Sequence, residues 1–200
     1  MNPEKLSSYE NGQFEEFLQA LMTMLKQHDT YTFIHQEQVA KLAKAIAMEL
    51  KLPKEQVTSV YYGSLVHDIG KIYISTEILN KPAPLSPEEY ELMKTHCLKG
   101  YEIIKNIKFP GDVSRVLLQH HERQDGSGYP QGLKGDHTSL EAKIVAVADV
   151  VEAMSFERPY RKALGVHAAL REIVKNRGKL YDPEVVDACV AVFKEKKFHF

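Results

Sequence analysis

Apolar positions in this chain recur at intervals of three and four, the spacing of helices that bury one face. Phe14, Phe17, Leu18, Leu21 and Leu25 trace one face of a first helix. A second, over about residues 33 to 50, carries the stripe Val39, Leu42, Ala43, Ile46 and Leu50. Stepping back four residues from Val39 places His35 among the inward side chains. Pro53 suits the first turn of a third helix through Val57, Tyr61, Ser64 and Leu65, closed by His67 and Asp68 and stopped at Gly70, where a left-handed cap is expected. Ser86-Pro87-Glu88-Glu89 reads as the N-cap, first-turn proline and capping-box acid of a fourth, which carries Leu92, Met93, His96 and Ile103. Pro110-Gly111-Asp112 opens a fifth, with Val113, Val116, Leu117 and His120 at helical spacing.

Between Glu122 and His137 the periodicity lapses, and Gly126, Gly128, Pro130, Gly132 and Gly135 mark a structured loop. Helix restarts at Thr138-Ser139-Leu140-Glu141 and runs through Ile144, Val145, Ala148 and Val151. Two more helices, over about 164–177 and 183–196, are divided by Gly178 and Asp182-Pro183. The expectation is one all-α domain of about seven or eight helices, with strands short or absent.

Composition narrows the class. Two hundred residues, 44% hydrophobic and 26% charged, can bury a full core without disulfides. With 26 Lys+Arg against 27 Asp+Glu the net charge is -1, so no nucleic-acid polymer is expected as a partner, and an anionic ligand must meet local positive groups. No apolar run approaches the roughly 18 residues that span a bilayer, and the first residues show no basic segment followed by an apolar run; the cytoplasm is the expected compartment. Cys97 and Cys189 sit in separate helical patterns and read as buried thiols. The unusual feature is a count of nine histidines.

Their placement carries the chemistry. In isolation, the pair His67-Asp68 in Leu65-Val66-His67-Asp68-Ile69-Gly70-Lys71 reads as a helix cap or a core hydrogen bond. Together with His35, His96, His120, His121 and Asp149, most of them on or beside apolar stripes, it forms a set of five imidazoles and two carboxylates. Burying these unpartnered is unfavourable by several kcal/mol per group, so a shared cation is the economical explanation. Imidazole and carboxylate suit Zn, Mn, Fe, Co and Ni. Seven donors exceed what one ion takes from a protein, and two ions about 3.5 to 4 Å apart are a recurring device for phosphate-ester hydrolysis.

These residues resemble the HD-GYP family of the HD hydrolase superfamily. The resemblance rests on His67-Asp68-Ile69-Gly70-Lys71, Met93-Lys94-Thr95-His96, the run from His120-His121-Glu122 to Gly126-Ser127-Gly128-Tyr129-Pro130, Ile144 through Asp149, and Arg158-Pro159-Tyr160-Arg161. It extends over about residues 30 to 190, which implies a helical extension over 1–30 and an HD-domain bundle with a GYP loop over 31–200. The implied activity is metal-dependent hydrolysis of a cyclic dinucleotide, chiefly cyclic di-GMP to linear pGpG, by a metal-bridged hydroxide, with a second step to GMP left open. His35, His67, Asp68 and Asp149 resemble the ligands of one ion, and His96, His120 and His121 those of a second, with Asp68 bridging. Asp68 and Lys71 would be catalytic, and Lys71, Arg158 and Arg161 would hold substrate. Gly128, Tyr129 and Pro130 form the loop, with order, substrate contact or docking as its alternative roles. Iron or manganese is implied, with nickel, cobalt and zinc open, and diguanylate cyclase (GGDEF) or sensory and receiver domains are the implied partners.

The chain departs from the family at three places. Tyr31 stands where some members carry a glutamate that helps hold a third ion, so two ions are expected. Gln38 replaces a frequent arginine, and Ser155-Phe156-Glu157 departs from the usual polar run, which bears on substrate preference. The rival readings are a phosphodiesterase preferring cyclic GMP-AMP, a single-metal nucleotidase acting on mononucleotides, and a catalytically weak signalling module that binds a cyclic dinucleotide or a partner. The residues before His35 are too few for a sensory domain, so the chain is expected to be a stand-alone hydrolase or an excised domain. His28, His137, His167 and His199 fall off the pattern and are expected to face solvent.

Overall fold

A computed structural model describes residues 3–158 and 161–200, with side chains from Phe14 onward; Pro159 and Tyr160 of the expected arginine motif lie outside the described residues. The described residues form ten α-helical segments and no strand. In chain order these are α1 (Pro3–His28), α2 (Thr30–Glu49), α3 (Lys54–Val66), α4 (Thr76–Leu79), α5 (Pro87–Lys94), α6 (His96–Ile104), α7 (Val113–Gln119), α8 (Leu140–Ser155), α9 (Val166–Lys175) and α10 (Pro183–Lys194). Short 3-10 turns lie at Ile69–Tyr73 and Gly135–His137. No helix among the described residues is long and apolar enough to cross a membrane.

Two features raise the number above the seven or eight expected. The single turn α4 has no buried residue and hence no apolar stripe to announce it. The helix expected through Ser86 to Ile103 breaks at Thr95, whose hydroxyl donates to the Leu92 carbonyl at 2.7 Å and competes with the helical ladder. The predicted start is present: Ser86 and Glu89 form a capping box with Pro87 in the first turn.

A further correction concerns Gly70. It takes no left-handed conformation. Helix α3 ends at Val66, His67 keeps right-handed helical angles, and Gly70 sits inside the following 3-10 turn. A β-carbon there would fall 2.0 Å from the His96 carbonyl oxygen and 2.5 Å from the Gly100 nitrogen. Glycine is required because two backbones meet, which brings His67 and Asp68 up against the start of α6.

The core has two apolar clusters. One joins α2, α3, α8, α9 and α10 through residues such as Leu42, Ile46, Val147, Val151, Ile173 and Val186. The other joins α1, α2, α3, α6 and α7 through Leu18, Leu25, Leu65, Ile104 and Leu117. Cys97 and Cys189 are both buried and unpaired. His35, His67, His96 and His120 rank among the largest fully buried side chains, a desolvation cost that requires polar partners.

Candidate metal centre

Three of the imidazoles are aimed by their own local backbone. His67 follows the last turn of α3, and its Nδ1 lies 2.7 Å from the Ser64 carbonyl. His96 opens α6 with Nδ1 2.7 Å from the Met93 carbonyl. His120 closes α7 with Nδ1 3.1 Å from the carbonyls of both Val116 and Leu117. Carbonyls only accept, so in each ring Nδ1 carries the proton and Nε2 presents a lone pair. His35, on α2, instead sets Nδ1 against the Glu152 carboxylate of α8.

The Nε2 atoms converge on Asp68. Its Oδ2 lies 3.3 Å from His67 Nε2 and 3.7 Å from His35 Nε2. Its Oδ1 lies 3.2 Å from His96 Nε2 and 4.0 Å from His120 Nε2. Asp149 Oδ1 stands 3.1 Å from His35 Nε2. Donor atoms of His35, His67 and Asp149 lie within 4.8 Å of one another, as do those of Asp68, His96, His120 and His121. His35 Nε2, His67 Nε2 and Asp68 Oδ1 are buried with no properly directed hydrogen bond. Lone pairs therefore face carboxylate oxygens in a water-poor interior, a repulsive arrangement that a divalent cation converts into coordination. The seven expected ligands are together, and their donor set fits divalent metal binding.

The electrostatics agree. Burial opposes charge on Asp68, yet Lys71, at 2.5 Å from Oδ2, and the His67 ring hold its carboxyl well below the usual range. Asp149 is likewise buried and likewise held low, by His35. Burial and neighbouring rings push the His120 and His121 imidazoles well below the ordinary histidine value, so both stay neutral. For His35 burial works against protonation, but Asp149 and Glu152 outweigh it and raise the value.

The GYP loop packs directly on this cluster. The Tyr129 ring stacks on His121 at 4.6 Å between centroids, and its own phenol is pushed upward chiefly by burial. A β-carbon at Gly128 would fall 2.4 Å from the His121 carbonyl oxygen. Pro130 is half-buried behind Tyr129 in sequence. Glu122, buried, accepts from the Gln131 and Leu133 amides at 2.8 and 3.0 Å and holds the loop's far limb.

Two cavities open onto the cluster. One of about 370 Å³ is lined by Tyr31, Leu85, Tyr90, Met93, Tyr129 and Arg158, together with Lys71, His96 and His121 of the cluster. The other, about 320 Å³, gathers Lys71, Arg123, Arg158 and Arg161 beside Asp68 and Asp149. Lys71 and Arg158 thus border both. Arg161 borders only the second, and its guanidinium also donates to the Ala153 carbonyl.

Sequence reasoning missed Glu152, Glu122 and Arg123. Glu152 carried a legible signal, since it lies one helical turn beyond Asp149. Glu122 and Arg123 fall within the quoted run after His121, but nothing in their spacing assigned either a role. His137, His167 and His199 are exposed as expected, but His28 is half-buried with Nδ1 out of solvent, because the end of α1 packs against the bundle.

Residues 19–185 match the HD domain family. The chain belongs to the HD domain family. It is 41% identical over 194 residues to a cyclic di-GMP phosphodiesterase of Thermotoga maritima, covering 96% of this chain and 52% of that protein. It is 40% identical over 175 residues to a cyclic di-GMP phosphodiesterase response regulator of Xanthomonas campestris pv. campestris, covering 86% of this chain and 46% of the relative. This HD domain chain thus spans about half the length of these relatives. The fold is also that of a cyclic GMP-AMP specific phosphodiesterase of V. cholerae, with a TM-score of 0.68 at 19% identity over 91% of this chain and 49% of the other.

Proposed function

We propose that this HD domain is a metal-dependent phosphodiesterase that hydrolyses a cyclic dinucleotide, with cyclic di-GMP as its preferred substrate. The observation that carries the reading is Asp68: its two oxygens face two separate sets of imidazole nitrogens. His35, His67, Asp68 and Asp149 would hold one ion, and Asp68, His96, His120 and His121 a second, with iron or manganese in both. Divalent ions at these positions supply Lewis acidity, lowering the pKa of water and offsetting charge that develops on a phosphodiester.

The chain's own groups do the rest. Lys71, tethered to Asp68 at 2.5 Å and open to both cavities, directs its ammonium toward a nonbridging or leaving oxygen of the scissile phosphate. Arg158 and Arg161 hold phosphate or guanine by bidentate pairing and stacking. The cavity walled by Tyr31, Tyr90 and Tyr129 accepts a purine between apolar and aromatic faces, and the arginine-rich cavity accepts the second phosphate. The first product is a linear dinucleotide such as pGpG, with GMP following if the terminal phosphate is accepted. Fusion to, or docking with, a receiver or GGDEF domain would supply the input signal.

The test is incubation of anaerobically Fe- or Mn-loaded protein with cyclic di-GMP, cyclic GMP-AMP, cyclic di-AMP and mononucleotides, with products separated by chromatography. Cleavage of cyclic di-GMP ahead of the others is expected. Faster cleavage of cyclic GMP-AMP would reassign the substrate, and no cleavage of any cyclic dinucleotide would overturn the reading.

A further inference from the structure

Glu152 is buried at 2% exposure, packs against the His35 ring and has no place in the seven-residue ligand set. Its Oε2 meets His35 Nδ1, the ring nitrogen on the far side from Nε2, and Nε2 is the atom that faces Asp68 and Asp149. The carboxylate therefore lies behind the ring, away from both groups of converging donors, of which it is no member. Among the rings compared, His67, His96 and His120 take a carbonyl from three or four residues earlier as their Nδ1 acceptor. His35 alone of these four takes a carboxylate, and one that stands 117 residues away on another helix. Arg158, with Nη2 3.6 Å from the same Oε2, balances the charge that this arrangement buries.

We infer that Glu152 is a positioning residue: it accepts the Nδ1 proton of His35, fixes that ring as an Nε2 donor, and so sets the affinity of one of the two metal positions. The inference rests on the proposed two-ion centre. The physical basis is a charge-assisted hydrogen bond, shorter and stronger than one to a carbonyl, which holds the ring plane and raises the basicity of the coordinating nitrogen. Because the acceptor comes from α8, the donor on α2 is aimed by the packing of the two helices and not by its own turn.

The experiment compares wild type with Glu152→Gln and Glu152→Ala for Mn(II) stoichiometry and affinity, by chelator competition, with thermal unfolding of the metal-stripped proteins as the control for folding. Gln keeps the volume and a neutral acceptor; Ala removes the acceptor. The expected result is two Mn(II) per chain in all three proteins. One site should be weakened by about tenfold in Glu152→Gln and by about a hundredfold in Glu152→Ala, the other holding near its wild-type affinity. A purely structural role would lower unfolding temperature and weaken both sites alike, which would overturn the inference, as would unchanged affinities. Saturation at a single ion in Glu152→Gln would also overturn it, by making Glu152 a ligand. If Glu152→Ala does not fold, Glu152→Gln alone decides. Failure of wild type to bind Mn(II) at all would instead sink the two-ion reading beneath it.

Discussion

At Asp68 one carboxylate meets Lys71 at 2.5 Å and His96, His67, His35 and His120 at 3.2, 3.3, 3.7 and 4.0 Å. Burial by itself would favour the neutral acid, so its ionisation depends on these neighbours and on any cation they hold. Asp68→Ala should therefore lose both ions and turnover together, as read by metal analysis beside product chromatography; two ions with normal turnover would contradict the bridge. Lys71→Met should keep the metal count and lower kcat by about a hundredfold, the scale of one electrostatic contact to a reacting phosphate. His35 was legible in the sequence because it continues an apolar stripe, and its burial follows from that. Glu122 was not, because its partners are the Gln131 and Leu133 amides of an aperiodic loop, and no spacing rule encodes such a contact.

Among the elements, the 3-10 turn between α3 and α4 joins the two halves of the centre, since it seats His67 and Asp68 against α6. Gly70→Ala would force a β-carbon to 2.0 Å from a backbone oxygen that cannot swing away. A loss of about 3 kcal/mol in urea unfolding is expected, with weakened metal binding, since overpacking of this kind typically destabilises by roughly 1–3 kcal/mol or more. Helix α1 is tied to α3 by the Tyr62 hydroxyl, which donates to Glu15, and by Phe14, whose ring sits edge-on to Tyr62 at 5.2 Å. Burial and Glu15 push the Tyr62 phenol up to about 12. An unfolded tyrosine releases its proton near about 10, so the tie contributes fully below that pH. Its contribution is lost as pH rises from there through the folded value, because the unfolded chain ionises first. Tyr62→Phe keeps the edge contact and should show a shallower decline in urea midpoint than wild type over about pH 10 to 11; parallel declines would count against the tie. The break at Thr95 escaped the hydrophobic pattern because the apolar spacing continues across it, while the competing hydroxyl contact is local and polar.

For the molecule as a whole, metal and fold are linked, since the donors come from α2, α3 and its following turn, α6, α7 and α8. Chelation should lower the unfolding temperature, each site contributing roughly 3 kcal/mol when free metal exceeds Kd by a hundredfold. The metal count should be near two per chain; three would reveal a ligand outside the seven residues. Sequence alone determined the helical class, the inward course of the histidine-bearing stripes and the donor chemistry, because periodicity and side-chain type are local properties. Only the tertiary structure decided that Asp68 offers one oxygen to each imidazole set, that Gly70 serves close backbone contact, and that Glu152 stands behind His35. Each of these depends on the distance between segments far apart in the chain, a quantity set by how α2, α6 and α8 pack and carried by no single stretch of residues.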